Sequence, residues 1–173
     1  AGRIYKELYE SDPKNEEYFN SLSRILKSQT KFSELLPIVE KFSQVKKTVE
    51  IYSFYAEVLW RTGDFEKANN YWSKAIELWP ENTNTYKIIA QAQIDAGQYQ
   101  KAIVTFEKGR KELGQSLLFS DDLSQLYISS GNYKRATEET LNLLAETKNI
   151  ALAQGRISAL MNSAESKKYI LET

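Results

Sequence analysis

The sequence predicts an all-α protein assembled from repeated antiparallel helix pairs, and three observations carry that expectation. Gly63, Gly97 and Gly131 are spaced 34 residues apart, and each opens a matching hexapeptide of turn residue, polar cap, aromatic, spacer, base and alanine: Gly63 to Ala68, Gly97 to Ala102 and Gly131 to Ala136. Self-similarity at a fixed period of this size marks a repeat architecture in which each supersecondary unit buries its face against its neighbours. Apolar residues on both sides of each glycine recur at helical spacing. Only three prolines and seven glycines interrupt 173 residues, which leaves room for long helices and short loops.

The best-formed pair lies in the middle. Tyr52, Tyr55, Ala56 and Leu59 fall at i, i+3, i+4 and i+7 and predict a helix over 49–61. Gly63 suits a left-handed C-terminal position and Asp64 an N-cap. Phe65, Ala68, Trp72, Ala75 and Ile76 then predict a second helix over 65–79, stopped by Pro80. The pattern continues as helices over 83–95 (Tyr86, Ile89, Ala90), 99–112 (Tyr99, Ala102, Phe106), 117–129 (Leu123, Ser124, Tyr127), 133–146 (Tyr133, Ala136) and 150–164 (Ile157, Met161). Upstream, Phe19, Leu22, Ser23 and Leu26 predict 15–28, and Phe32, Leu35, Val39 and Phe42 predict 33–45, in a register shortened to 33. There Thr30 replaces the glycine, and Pro37 implies a helix that starts late on Ser33 as cap, or bends. Ala1, Tyr5, Leu8 and Pro13 repeat the spacing of Ala68, Trp72, Ala75 and Pro80, so 1–11 reads as a second helix without its first.

The period of 34 and the string Tyr52, Tyr55, Ala56, Leu59, Gly63, Phe65, Ala68, Trp72, Ala75 and Pro80 resemble the tetratricopeptide (TPR) signature. The resemblance is strong over 49–116. It is looser over 117–150, where Thr140 stands for the usual aromatic and Leu143 for a small residue. It implies a right-handed superhelical solenoid of antiparallel helix pairs, with a half repeat at 1–15, repeats at 16–48, 49–82, 83–116 and 117–150, and a partial repeat at 151–173. Neither end reads as a polar cap, which points to a portion of a longer protein. The apolar ends carrying Ile4, Tyr5 and Leu8, and Tyr169 and Ile170, are expected to be less buried than their counterparts, or covered by a second copy as a homodimer.

Composition narrows function by exclusion. Lys and Arg together number 23, and so do Asp and Glu, so the basic excess expected of a DNA binder is missing. Without Cys or His the chain has no disulfide, no thiolate or imidazole metal site and no Ser-His or Cys-His relay. No apolar run approaches the ~20 residues of a membrane helix. A Cys-free chain suits either redox environment, and the cytoplasm is only mildly favoured as its compartment. Adjacent acids such as Glu16-Glu17, Asp121-Asp122 and Glu138-Glu139 point about 100° apart on a helix. They suit helix starts and solvated faces, not paired acid–base catalysis. No catalytic residue and no cofactor is expected.

The resemblance implies instead that the first helix of each pair lines a concave groove, with the residues beside its core stripe facing a ligand. That register names Asn20, Arg24 and Lys27, then Glu50, Ser53, Glu57 and Trp60, then Asn84, Lys87 and Gln91, and finally Asp121 and Gln125. Trp60 would be an apolar anchor if it faces the groove, or a packing residue if it does not. The basic end followed by an acidic band implies a ligand carrying acidic and then basic residues. The Lys/Asn/Arg carboxylate clamp of some TPR proteins finds no match, since Lys87/Gln91 comes nearest and Asp122 follows it. The expected function is a protein-interaction scaffold that holds a peptide or helix of a partner. The alternatives are self-assembly through the repeat ends, and substrate recruitment for a catalytic domain elsewhere in a longer chain.

Overall fold

The protein is described as a computed structural model over residues 2–161, the side chains of residues 146, 153 and 159 excepted. The described residues form ten α-helices and no strand, the pattern of a helical-repeat solenoid. They divide into two compact units, Ala1–Ala96 and Gly97–Thr173. The first holds α1 (Gly2–Ser11), α2 (Glu16–Ser28), α3 (Phe32–Val45), α4 (Val49–Thr62), α5 (Phe65–Leu78) and α6 (Thr83–Asp95). The second holds α7 (Tyr99–Leu113), α8 (Ser120–Ser129), α9 (Tyr133–Thr147) and α10 (Ile150–Met161). Within each unit a helix packs on its sequence neighbours, and in addition α4 packs on α6 and α8 on α10.

Local chemistry sets the helix starts. Asn15 accepts from the N–H groups of Glu17 and Tyr18, Thr48 from Ile51, Asp64 from Lys67 and Asn132 from Arg135. Each bond satisfies a donor that the first turn leaves without a helical partner. Gly63 ends α4 in the left-handed region at φ 93°, its N–H donating to Trp60 O and that of Asp64 to Leu59 O. A side chain at such a φ would be strained, which is why glycine recurs there. Thr30 takes the same turn at φ 55° without being glycine.

Two expectations at helix starts need correction. Helix α3 does not start late on Ser33 as its cap: it begins at Phe32, after Lys31, which makes no side-chain cap, and continues through Pro37. Pro37 is its sixth residue, so the loss is a single backbone bond inside the helix. Helix α8 begins at Ser120, three residues later than predicted, because residues 115–118 form a turn and Phe119 enters at φ 64°. The Phe119 ring is buried 4.8 Å from Phe106. The expected helix end at 164, and the face carrying Tyr169 and Ile170, lie outside the described residues. At the other end Ile4 is 59% exposed and Tyr5 and Leu8 are half-buried, whereas Trp72 and Ala75 at the matching positions of α5 are fully buried.

The core follows the repeat. Ala68, Ala102 and Ala136 are fully buried. Phe19 stacks on Phe42 at 3.8 Å, and Tyr55 meets Tyr71 edge-on at 4.5 Å. Successive second helices are also tied by a recurring polar clamp. In the first unit Glu40 of α3 accepts from the Tyr55 hydroxyl at 2.7 Å and from Lys67 of α5 at 3.1 Å. In the second, Glu107 of α7 accepts from Tyr127 at 2.9 Å and from Arg135 of α9 at 3.0 Å. Burial pushes the Tyr55 hydroxyl up to about 12. The bond from Tyr55, with that from Lys67, holds the Glu40 carboxyl below its ordinary range.

Candidate functional site

In the first unit the faces of α2 and α4 border a groove of about 530 Å³. Its floor is apolar, from Phe19 on α2 and Ile51 and Phe54 on α4. Its rim is polar, from Asn20, Arg24 and Lys27 on one side and Glu50 on the other. Helical spacing accounts for both. Asn20, Arg24 and Lys27 fall at i, i+4 and i+7 and share one face of α2, while Glu50 and Phe54 stand four apart on α4. A second, smaller recess opens beside it around Glu16, Glu17, Asn20, Ser21 and Arg24.

The rim charges divide into spent and available ones. Lys27 Nζ lies 2.8 Å from Glu57 Oε1 and 5.6 Å from the centre of the Phe54 ring. Glu57 is thus neutralised within the groove wall, its side chain only 17% exposed. Arg24 and Glu50 are exposed, and neither has an ion-pair partner among the described residues. Beneath the rim the Ser23 hydroxyl is buried and makes no hydrogen bond among the described residues. A buried polar group in that state costs free energy until something satisfies it.

The other expected groove residues are placed as follows. Ser53 is 5% exposed, which corrects the expectation that it presents to a ligand: α4 packs on α3, α5 and α6, and little of it stays open. Trp60 is half-buried with its ring 4.4 Å from Phe65 and 6.0 Å from Trp72, so it packs on its own partner helix. Asn84, Lys87 and Gln91 are exposed along α6, with Gln91 donating to Asp95 at 2.8 Å. Asp121 and Gln125 belong to the second unit, where Gln125 donates to Asp121 at 3.0 Å and Arg156 lies 2.6 Å from Asp121. The expected alternation of a free basic end and a free acidic band is therefore corrected: Lys27 and Glu57 cancel each other across 30 residues of sequence. Phe54, Ile51 and Ser23 were missed. Phe54 lies between the core stripe and the polar rim, and only the opening between α2 and α4 distinguishes it from packing.

The family model for anaphase-promoting complex, cyclosome, subunit 3 matches residues 28–109. A solved tetratricopeptide repeat protein from Parabacteroides merdae aligns with 93% of this chain and 65% of its own, at 20% identity and a TM-score of 0.58. The chain has the TPR fold. The thermophilic TPR protein TTC0263 of Thermus thermophilus shares the fold at 17% identity and TM-score 0.51, over 92% of this chain and 89% of that one. YrrB, described as a TPR protein with an unusual peptide-binding site, matches 99% of this chain and 89% of its own at 13% identity and TM-score 0.51. No curated protein sequence matches the chain. A TPR fold supports a protein-interaction scaffold and is typically non-catalytic. Among the described residues no helix is long and apolar enough to cross a membrane.

Proposed function

We propose that this TPR protein holds a segment of a partner protein in the α2–α4 groove of its first unit, with the exposed α6 residues Asn84 and Lys87 extending the surface. The observation that carries the reading is the groove itself: an apolar floor of Phe19, Ile51 and Phe54 under a rim whose available charges are Arg24 and Glu50. A ligand that fits places an apolar side chain over Phe54, an acidic residue beside Arg24 and a basic one beside Glu50. Asn20 bonds the ligand backbone. The peptide-binding site described for YrrB, on the same fold, is consistent with this use. Rim charge governs encounter, whereas the apolar floor governs how long the segment stays.

The test uses synthetic nonapeptides ordered acid–apolar–base, the same residues in reversed order, and surface-plasmon kinetics on the full chain. The forward order is expected to bind more tightly. Arg24→Glu should lower the association rate several-fold, and Phe54→Ala should raise the dissociation rate. Trp60→Ala, which removes a packing contact, should change both rates less than Phe54→Ala. Equal binding of both orders, or unchanged rates in Arg24→Glu and Phe54→Ala, would move the function away from this groove.

A further inference from the structure

Helix α2 has a second opening on its opposite face. Leu22, Ile25 and Leu26 point away from Asn20, Arg24 and Lys27 and, with Pro37 and Ile38 of α3, line a cavity of about 590 Å³ between α1, α2 and α3. That volume falls within the ~300–1,000 Å³ range of ligand pockets. Its cause is visible in the repeat. Gly2 of α1 stands where α3 carries Leu36 and α5 carries Asn69, so the side chain that fills this position elsewhere is missing. In consequence Ile25 is only half-buried, while Val58, its counterpart 33 residues on, is fully buried. A Cβ built on Gly2 would rest 3.5 Å from Ile25 Cγ2, an ordinary contact, so the space is real and not a forced approach of backbones.

The rim is basic. Arg3, Lys6 and Lys31 border the cavity against the single acid Glu34. Two of these cations have only loose partners. Arg3 lies 3.4 Å from Glu7 with both side chains mostly exposed, and Lys31 lies 3.4 Å from Glu34 with both about half exposed. Exposed pairs of that kind contribute ~0–1 kcal/mol and exchange readily for a better-placed carboxylate. Lys6 has no ion-pair partner among the described residues.

We propose that this cavity is a second binding site, distinct from the α2–α4 groove, for a short amphipathic helix of a partner protein whose apolar face is flanked by acidic residues. The walls are helices with no strand edge to extend, so the fitting ligand inserts side chains at i, i+3 or i+4 and i+7 between them. The three cations select acidic flanks over basic ones.

The test is a random twelve-residue peptide library displayed on phage and selected on the immobilised full chain, followed by fluorescence anisotropy of the enriched peptides. Enriched sequences should combine Leu, Ile or Phe at helical spacing with Asp or Glu. Gly2→Leu, which plugs the cavity, and Lys6→Glu, which reverses its rim, should each weaken such peptides at least tenfold. Arg24→Glu, on the other face of α2, should leave them unchanged. A melting temperature of Gly2→Leu at or above wild type shows that the loss is not unfolding. Enrichment of basic peptides, no enrichment, or full binding by Gly2→Leu would overturn the proposal. Loss of binding in Arg24→Glu would return the peptides to the α2–α4 groove. A concentration-dependent dimer in sedimentation that Gly2→Leu abolishes, without peptide enrichment, would assign the cavity to a second copy of the chain instead.

Discussion

The α4–α5 hairpin of the first unit and the α8–α9 hairpin of the second occupy the same repeat positions 68 residues apart, yet they are held by different chemistry. In α4–α5, Trp72 fills the centre beside Ala56 and Ala75, all three fully buried. In α8–α9 those positions are Thr140, Ser124 and Leu143, also buried. The Ser124 and Thr140 hydroxyls lie 2.9 Å apart, and Thr140 donates to Ala136 O at 2.8 Å. The large residue has moved by one helical turn, from 72 to the equivalent of 75, and a hydrogen-bonded pair closes the gap. The same exchange occurs at the outer contact. Tyr52 meets Tyr71 edge-on at 5.5 Å in the first unit, while the equivalent Ser120 and Glu139 are joined through Arg110. Arg110 bonds Glu139 by two parallel contacts of 2.7 and 2.6 Å and also holds Leu118 O. The repeat thus fixes helix positions, and its interior accepts either aromatic packing or a buried polar network.

These solutions differ in how they fail. Removing one member of a buried ion pair leaves the other charge uncompensated, so Glu139→Ala should cost about 3–5 kcal/mol in urea unfolding followed by far-UV circular dichroism. Replacing the pair together, Arg110→Met with Glu139→Leu, should cost much less. Trp72→Ala should cost a similar ~3–5 kcal/mol through a cavity, but no second substitution in its hairpin should restore that loss as the ionic double does. All three tryptophans, Trp60, Trp72 and Trp79, lie in the first unit, so intrinsic fluorescence reports there. Equal costs for Glu139→Ala and the double variant would show that the buried charge is not what makes α8–α9 fragile.

Both hairpin types keep the small residue that lets two helices approach. Ala136→Leu, at a fully buried position of α9, should cost about 1–3 kcal/mol through overpacking, read as a fall in melting temperature. A smaller loss, about 1 kcal/mol, is expected for Thr140→Val, because Ser124 keeps a contact to Ala136 O at 3.4 Å when its hydroxyl partner is gone. Unchanged stability in Thr140→Val would mean that shape alone fills the α8–α9 centre.

The helices were legible because period and capping are local: Gly63, Asp64 and Pro80 punctuate α4 and α5 wherever the rest of the chain goes. The start of α8 was not, since it depends on Arg110 reaching from α7 to Leu118 and Ser120. The register put Asn20, Arg24 and Glu50 on open helix faces, and all three are exposed. It could not find the Lys27–Glu57 pair, made between side chains 30 residues apart, nor the burial of Ser53 beneath neighbouring helices. Periodicity says which face of a helix a residue takes, whereas exposure also depends on how many neighbours cover that face.

The finest contrast between the units lies in their clamps, Tyr55–Glu40–Lys67 and Tyr127–Glu107–Arg135, and alkaline pH separates them. Burial raises the hydroxyl of Tyr55 to about 12 and that of Tyr127 in the same direction. Hydrogen bonds donated to Tyr55 and Glu40 also raise the Lys67 ammonium above its ordinary value. In each case the unfolded chain releases its proton first, so the stability these groups give is complete below about pH 10 and is lost as pH rises toward and past 12. Both clamps carry a titrating tyrosine, but Arg135 keeps its charge throughout while Lys67 does not. The first unit should therefore lose more on alkaline titration. Lys67→Arg should flatten the fall of the tryptophan-monitored melting temperature above pH 10, and Tyr55→Phe should flatten it further by removing the second group. If neither variant alters that slope, the clamp between α3 and α5 is an exposed contact of no thermodynamic consequence, and α4, which packs on both, is what joins those helices.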